Sequence, residues 1–201
     1  MTELWPAFGI EYGTQPVDLD SVFGRAADRV LEIGFGNGDT LVAAAAENPH
    51  LDFLGIEVHE PGVGHCLLRA RDAGVTNLRI INHDAVEVLT HHIPDSSRAR
   101  VHLLFTATSP KKPHHNRRIV QPDFVAAIAA KLRPGGRFYI ATDWPGYAEH
   151  IDEVMAQATD FTRETVRDHE GDAPLDRPRT KFEARGLKKG HRIRDWCFVR
   201  T

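Results

Sequence analysis

The chain has little cysteine and no long apolar segment, and each absence argues against a class of protein. Its two cysteines, Cys66 and Cys197, are far apart and match no metal-binding or redox spacing. A reduced compartment without a disulfide framework is therefore expected. No apolar run reaches the roughly 18–20 residues that a membrane-spanning helix needs, and residues 1–12 lack the basic and apolar regions of a signal peptide. We predict a cytoplasmic protein without a membrane partner.

The chain also has little net charge, and what it has is unevenly distributed. The total is −3, but residues 1–100 have a net charge of −8 and residues 101–201 a net charge of +5. The basic excess lies in residues 111–118 and 177–194. A run of cations is usually a solvated face, but concentrated positive charge also attracts a polyanion. Composition alone leaves these two interpretations open.

The sequence alternates predicted strands with predicted helices. Its length of 201 residues predicts one domain over residues 1–201. Residues 1–28 are expected to form an N-terminal arm along one edge. The alternation favours an α/β fold, a mostly parallel sheet with helices on both faces. We expect the last two strands to form an antiparallel pair. Strands are predicted at 30–33, 51–58, 78–82, 101–105, 137–142, 161–166 and 194–200, with a turn at 133–136. Helices are predicted at 18–23, 39–47, 61–73, 86–92, 122–132 and 147–158.

A glycine turn follows the first predicted strand. Gly34, Gly36 and Gly38 occupy alternate positions between that strand and an alanine-rich helix. Glycines permit a tight turn and a close approach of ligand to backbone, and a helix start supplies free N–H groups. The spacing differs from the Gly-x-Gly-x-x-Gly of most dinucleotide sites. Glu32 lies inside the strand, where a carboxylate suits a cationic ligand such as S-adenosylmethionine.

Acids also end the second and third predicted strands. Glu57 follows the glycines by about 20 residues, the position from which an acid binds ribose hydroxyls. Asp84 follows the third strand, where it can accept a hydrogen bond from an adenine amino group or cap the next helix. Both roles for Asp84 are compatible, because ligands bind at the same end of the sheet.

Six segments together resemble one family. They are LEIGFGNG, FLGIEVHEPGVG, NLRIINHDAVEVL, KKPHHNRRIVQ, RFYIATDWPGYAEH and RPRTKFEARGLKKGH. Over nearly the whole chain they are similar to the bacterial tRNA (guanine-N7-)-methyltransferases. The resemblance implies a Rossmann-like class I methyltransferase with a seven-stranded sheet, S-adenosylmethionine as cofactor, and transfer of its methyl group to N7 of a guanine in the tRNA variable loop.

The resemblance also implies roles for individual residues. Glu32, Glu57 and Asp84, beside Gly34, Gly36 and Gly38, match the cofactor-binding positions. The substrate-binding positions match Lys111, Asp143, Thr180, Lys181, Phe182 and Glu183, the last four within a basic loop at 177–194. The family's catalytic aspartate falls at Ala107, within Phe105-Thr106-Ala107-Thr108-Ser109-Pro110.

This departure leaves several alternatives open. Asp143 is a candidate substitute for the missing acid, although it could equally cap the helix that follows. The chain could be a non-catalytic relative that binds tRNA or cofactor, or a small-molecule methyltransferase of the same fold. The paired histidines at 91–92 and 114–115 have no partner at ligand spacing, so we predict no metal. A monomer and a homodimer are both consistent with the sequence.

Overall fold

The computed structural model of the chain describes residues 3–106, 118–171 and 177–201. Its strands are β1 (Arg29–Ile33), β2 (Asp52–Ile56), β3 (Leu78–Ile81), β4 (Arg98–Leu104), β5 (Leu132–Thr142), β6 (Phe161–His169) and β7 (Ile193–Arg200). Its helices are α1 (Trp5–Phe8), α2 (Leu19–Phe23), α3 (Asp39–Glu47), α4 (Glu60–Asp72), α5 (Ala85–Glu87), which continues as a π-helical turn over Val88–His92, α6 (Pro122–Lys131), α7 (Pro145–Met155) and α8 (Lys181–Lys188). In this part of the chain, no helix has the length and apolarity to cross a membrane.

The strands form one sheet with the order β3-β2-β1-β4-β5-β7-β6. Strands β1 to β5 run parallel, and β7 runs antiparallel to both of its neighbours. The predicted seven-stranded, mostly parallel sheet and its closing antiparallel pair are confirmed. The strand order reverses at β1, which lies between β2 and β4. In open α/β sheets, ligands bind outside the carboxyl ends of the strands at such a point.

Side chains alternate along β1 and bury both of its faces. Val30 packs in one apolar cluster with Leu41 of α3 and Val63 of α4. Leu31 packs on the opposite face, in a second cluster that includes Phe124 of α6. A parallel sheet needs helices on both faces because both carry apolar side chains. The turn after β1 is therefore held between two packed layers.

The prediction of a loop over 177–194 is wrong, because this segment contains α8 and the start of β7. Thr180 caps α8: its Oγ1 accepts a hydrogen bond from the Glu183 N–H at 3.1 Å. Glu183 itself is fully buried. A capped first turn and an inward-facing residue stabilise a helix, and the many cations of the segment concealed this pattern.

Strand β5 begins at Leu132, not at the predicted Arg137. Leu132 pairs with Arg98 and Arg137 pairs with Arg100, so residues 133–136 bulge out of the ladder. Gly135 has a φ of 76° in this bulge. The predicted turn thus lies within a longer strand.

The N-terminal arm contacts the β3 edge of the sheet. The Ile10 N–H donates to the Ile80 carbonyl at 2.8 Å, and Gly9 forms an isolated parallel bridge with the same residue. Phe8 of α1 is buried in the cluster with α3 and α4. The arm therefore covers backbone groups that an edge strand leaves open.

Candidate active site

The three glycines after β1 form a turn that α4 packs against directly. Their φ angles are positive: 75° at Gly34, 61° at Gly36 and 73° at Gly38. A Cβ atom on Gly38 would lie 2.2 Å from the Cys66 Sγ, and a Cβ atom on Gly62 of α4 would lie 2.3 Å from the Gly36 carbonyl oxygen. Neither position has room for a side chain, so the turn exposes its backbone to any ligand beside it.

Replacing Gly38 with Ala should destabilise the protein by about 2 kcal/mol, because the left-handed backbone and the overlap with Cys66 each add strain. Urea unfolding measures this. Gly24→Ala is the matched control, since Gly24 has a φ of 70° but no atom within 4 Å of a built Cβ. The control should lose only about 1 kcal/mol. Equal losses for the two variants would mean that the contact with Cys66 is not the cause.

A pocket of about 330 Å³ opens at the carboxyl ends of β1 to β4, where the strand order reverses. The glycine turn, the ends of these strands and the start of α8 form its walls. Lining residues are Ile33, Gly34, Gly36, Ile56, Glu57, Val58, His83, Asp84, Ala85, Phe105, Thr106, Ile119 and Phe182. We call this the donor pocket.

Glu57 joins the glycine turn to the end of β2. Its Oε2 accepts a hydrogen bond from the Gly36 N–H at 2.8 Å, and its Oε1 accepts from the N–H groups of Val58 and His59 at 2.8 and 3.0 Å. A carboxylate has about four lone-pair sites, so it can accept further bonds. The structure places this carboxylate in the pocket wall, and its contact with ribose hydroxyls stays a prediction.

Asp84 is placed to perform both of the roles that the sequence leaves open, capping a helix and contacting an adenine amino group. Its Oδ1 accepts hydrogen bonds from the N–H groups of Val86 and Glu87 at 2.9 and 3.1 Å, so the predicted helix cap is confirmed. The residue also lines the donor pocket. No hydrogen bond from a described residue reaches Oδ2. The predicted contact with an adenine amino group is compatible with this cap.

Glu32 is not among the residues that line the donor pocket, but it directly precedes two of them, Ile33 and Gly34. Its side chain is only 4% exposed, and no described residue donates a hydrogen bond to it. Burial raises the pKa of the Glu32 carboxyl to about 7, and the charge of Arg177 opposes this increase. An ionised carboxylate buried without a partner is unfavourable. The ammonium group of S-adenosylmethionine would supply that partner, so the residues present fit this cofactor.

The start of α8 lies over the glycine turn. The Lys181 Nζ is 3.1 Å from the Asp39 Oδ2, at the start of α3. Phe182 is 44% exposed, lines the donor pocket, and would be 3.5 Å from a Cβ atom on Gly36. The structure thus brings the predicted substrate residues Lys181 and Phe182 to the predicted cofactor site.

Glu183 faces the protein interior instead. Its Oε2 accepts a hydrogen bond from the Arg177 Nη1 at 2.7 Å, and Arg177 also donates to the Asp195 Oδ1 at 2.5 and 2.8 Å. The His169 Nε2 is 2.8 Å from the Asp195 Oδ2. The side chains of all four residues are at most 1% exposed. This buried ionic cluster joins α8 to β6 and β7.

Sequence reasoning missed the other members of this cluster. The sequence shows Arg177 only as one cation of a basic run, and no local pattern marks Asp195 or His169. Their contacts join residues 18 and 26 positions apart, which no local pattern reveals. The available signal was an acid directly before Trp196, Cys197 and Phe198, because a charge inside an apolar strand needs a partner.

Asp143 lies outside the donor pocket. Its Oδ2 is 2.8 Å from the His191 Nδ1, and a Cβ atom on Gly186 of α8 would lie 2.7 Å from the same oxygen. The capping alternative is wrong, because the N-cap position of α7 is Trp144 and no side chain caps that helix. Asp143 thus lies against α8, one turn from Phe182.

Two predicted positions, Lys111 and Ala107, lie outside the described residues, as do residues 108–110 and 112–117. Within the described ranges, no group of three His, Cys, Asp or Glu residues is arranged to hold a metal ion.

Comparison with known proteins identifies the family. A family model described as putative methyltransferase matches residues 26–196. A tRNA (guanine-N(7)-)-methyltransferase of Shewanella woodyi is 52% identical over 200 residues, which are 100% of this chain and 84% of that protein. One of the same name from Alkalilimnicola ehrlichii is 52% identical over 194 residues, 96% of this chain and 81% of that protein.

Solved structures share the fold at low identity. The 16S rRNA methyltransferase KamB superposes with a TM-score of 0.65 at 16% identity, covering 91% of this chain and 93% of that one. A 16S rRNA (adenine(1408)-N(1))-methyltransferase from Catenulisporales acidiphilia, solved with cosubstrate SAM, also gives 0.65 at 15% identity, covering 92% of each chain. At this identity the likeness shows the fold alone, whereas the curated relatives are half identical over nearly the whole chain. The chain belongs to the tRNA (guanine-N(7)-)-methyltransferase family.

Proposed function

We propose that the protein acts in the cytoplasm and transfers the methyl group of S-adenosylmethionine to N7 of a guanine in the variable loop of tRNA. The observation that carries the proposal is the position of α8. Its first residues cover a pocket whose walls include Glu57 and Asp84, and its exposed side carries cations. Donor and RNA would therefore meet at one edge of the sheet.

The reaction requires mainly alignment. Guanine N7 has an in-plane lone pair and needs no deprotonation, and S-adenosylmethionine supplies an electrophilic methyl group when it is bound. The protein must hold the two reactants in line and exclude other orientations. Glu57, Asp84 and Glu32 would fix the donor, while the start of α8 closes the pocket above it. A carboxylate near the base would stabilise the positive charge that develops on the guanine.

The exposed side of α8 supports an RNA partner. Arg185, Lys188 and Lys189 are exposed, and no ion pair joins them to a carboxylate among the described residues. Several cations elsewhere on the surface are paired, such as Arg133 with Asp28 and Arg137 with Glu164. Unpaired cations beside a pocket favour a polyanion over a merely solvated face.

Replacing Lys188 and Lys189 together with Ala should weaken tRNA binding about tenfold and lower the slope of log affinity against log salt by about 2, because each phosphate contact releases a counterion. S-adenosylhomocysteine affinity should not change. Titrations of tRNA at several salt concentrations measure both effects. Arg163→Ala, which removes an exposed cation of β6, is the control. An unchanged slope in the double variant would exclude these lysines from the RNA contact.

The direct test is mass spectrometry of tRNA nucleosides. Labelled S-adenosylmethionine and tRNA that lacks the modification should yield N7-methylguanine on incubation with the protein. No product at high enzyme concentration would overturn the proposed activity. A small-molecule methyltransferase would instead bind S-adenosylhomocysteine tightly without salt-sensitive affinity for tRNA.

Ala107 favours a second candidate, a relative that binds tRNA and cofactor without turnover. The resemblance places the family's catalytic aspartate at this position, and alanine has no carboxylate. Because N7 attack needs no base, loss of the acid should slow the reaction rather than abolish it. An enzyme with a reduced rate is therefore the first candidate, ahead of a protein without turnover.

A further inference from the structure

A second pocket, of about 200 Å³, lies on the other side of Asp143 from α8. The end of β5, the first turn of α7 and the adjacent parts of β6 and β7 form its walls. Its lining residues include Asp143, Trp144, Glu149, Asp168, Arg192 and Arg194.

Helix α8 contacts a residue of each pocket. Phe182 lines the donor pocket, and Gly186 packs against Asp143, which lines the second pocket. Four residues of an α-helix span about 6 Å along its axis. A strand of RNA that crosses this part of α8 would therefore pass both pockets. A guanine held at the donor pocket would thus place an adjacent nucleotide at the second pocket.

The chemistry of the second pocket suits a nucleobase. Trp144 is 40% exposed and offers an aromatic face for stacking. Asp143, Glu149 and Asp168 contribute carboxylates, which accept hydrogen bonds from the N–H groups on a base edge. The aromatic face and these acceptors together suit a nucleobase. The pocket is not purely acidic, because two arginines line it as well.

The two arginines that line the pocket, Arg192 and Arg194, would contact the phosphate backbone of such a nucleotide. Arg192 lies 3.6 Å from Glu170, and Arg194 lies 3.2 Å from both Asp152 and Asp168. The Arg192–Glu170 pair is exposed, and such a pair contributes little stability. A phosphate can therefore replace the carboxylate partner of Arg192 at small cost, whereas Arg194 is half-buried between its two carboxylates.

We propose that this second pocket binds the base of a nucleotide adjacent to the methylated guanine, stacked on Trp144. The inference rests on the proposed function and extends it to a neighbouring position of the RNA. It assigns Trp144 a role in substrate binding and none in holding the donor.

Trp144→Ala should raise the KM for tRNA about tenfold, within the range that stacking of one base provides. The kcat should stay within about twofold, and the affinity for S-adenosylhomocysteine in calorimetry should not change, because Trp144 does not line the donor pocket. Trp144→Phe retains an aromatic face and should restore most of the loss. Leu68→Ala, at an exposed apolar residue of α4 that is 47% exposed, is the control and should behave as wild type.

A second experiment, which changes the RNA instead of the protein, makes the test independent of the stability of the variants. RNA hairpins with an abasic site on either side of the target guanine are titrated against wild-type protein and Trp144→Ala. One abasic site should weaken binding to wild type about tenfold and leave binding to the variant unchanged. The inference is overturned if neither site weakens wild-type binding, if both proteins lose the same factor, or if Trp144→Ala retains the wild-type KM. Wild-type turnover on intact RNA tests the proposed function separately.

Discussion

Replacing Glu32 with Gln should increase the free energy of unfolding of the ligand-free protein by about 3 kcal/mol near pH 8. The same variant should bind S-adenosylhomocysteine roughly 30–150-fold more weakly, because a ligand ammonium would lose its buried charged partner at a cost of about 2–3 kcal/mol. Gains in stability with losses in binding are expected where a functional group is held in an unfavourable environment. Urea unfolding and calorimetry measure the two effects.

The stability effect has a defined pH dependence. Folding raises the pKa of the Glu32 carboxyl from 4.5 to about 7. Its contribution to stability is therefore fully present below pH 4.5 and is lost as the pH rises through 7. Wild type and Glu32→Gln should be equally stable below pH 4.5, diverge between pH 4.5 and 7, and differ by a constant amount above pH 7. A constant difference at every pH, or a similar gain from Glu153→Gln at an exposed position of α7, would show that the buried charge is not the cause.

Ligand binding by the wild type should show the same ionisation. Because the ammonium pairs with the carboxylate form, S-adenosylhomocysteine affinity should fall about tenfold between pH 8 and pH 6 as Glu32 becomes protonated. Glu32→Gln should lack this dependence.

Introducing the missing acid with Ala107→Asp should raise kcat for tRNA methylation by about 10²–10³, the effect of one preorganised electrostatic group on a developing charge. S-adenosylhomocysteine affinity should change little, because the acid stabilises the cationic base. Single-turnover assays at saturating tRNA separate the chemical step from binding.

Ala107→Asn is the matched control, since it adds similar volume without charge and should stay near the wild-type rate. A wild type without turnover beside an active Asp variant would identify the natural protein as a binding relative. Equal rates for wild type and Ala107→Asp would show that the reaction proceeds without this acid, and the candidate without turnover would then be excluded.

Local patterns predicted the parts of the structure that depend on local interactions. Strand β1, the glycine turn and α3 lie where predicted, because apolar alternation, glycine spacing and helix propensity act within a few residues. The paired strands β6 and β7 were also predicted. Helix α8 was not, because its inward face is an acid rather than an apolar side chain. The Glu183 carboxylate is buried in ion pairs with Arg177 and Arg179.

In the candidate site, too, local patterns predicted some residues and not others. Glu57 and Asp84 could be predicted because each follows a strand at the edge where parallel strands end. The environment of Glu32 could not, since its raised pKa depends on packing against other layers and on Arg177. Likewise, the contact of Asp143 with His191 joins residues 48 positions apart.

The contacts of α8 have a thermodynamic consequence. Lys181 reaches the first turn of α3, and Phe182 forms part of the donor pocket, while the exposed cations of the same helix face outward. A rigid element shared by two binding equilibria makes them interdependent, with one coupling free energy for both ligands. If bound cofactor changes the affinity of the protein for RNA by some factor, bound RNA must change the affinity for the cofactor by the same factor.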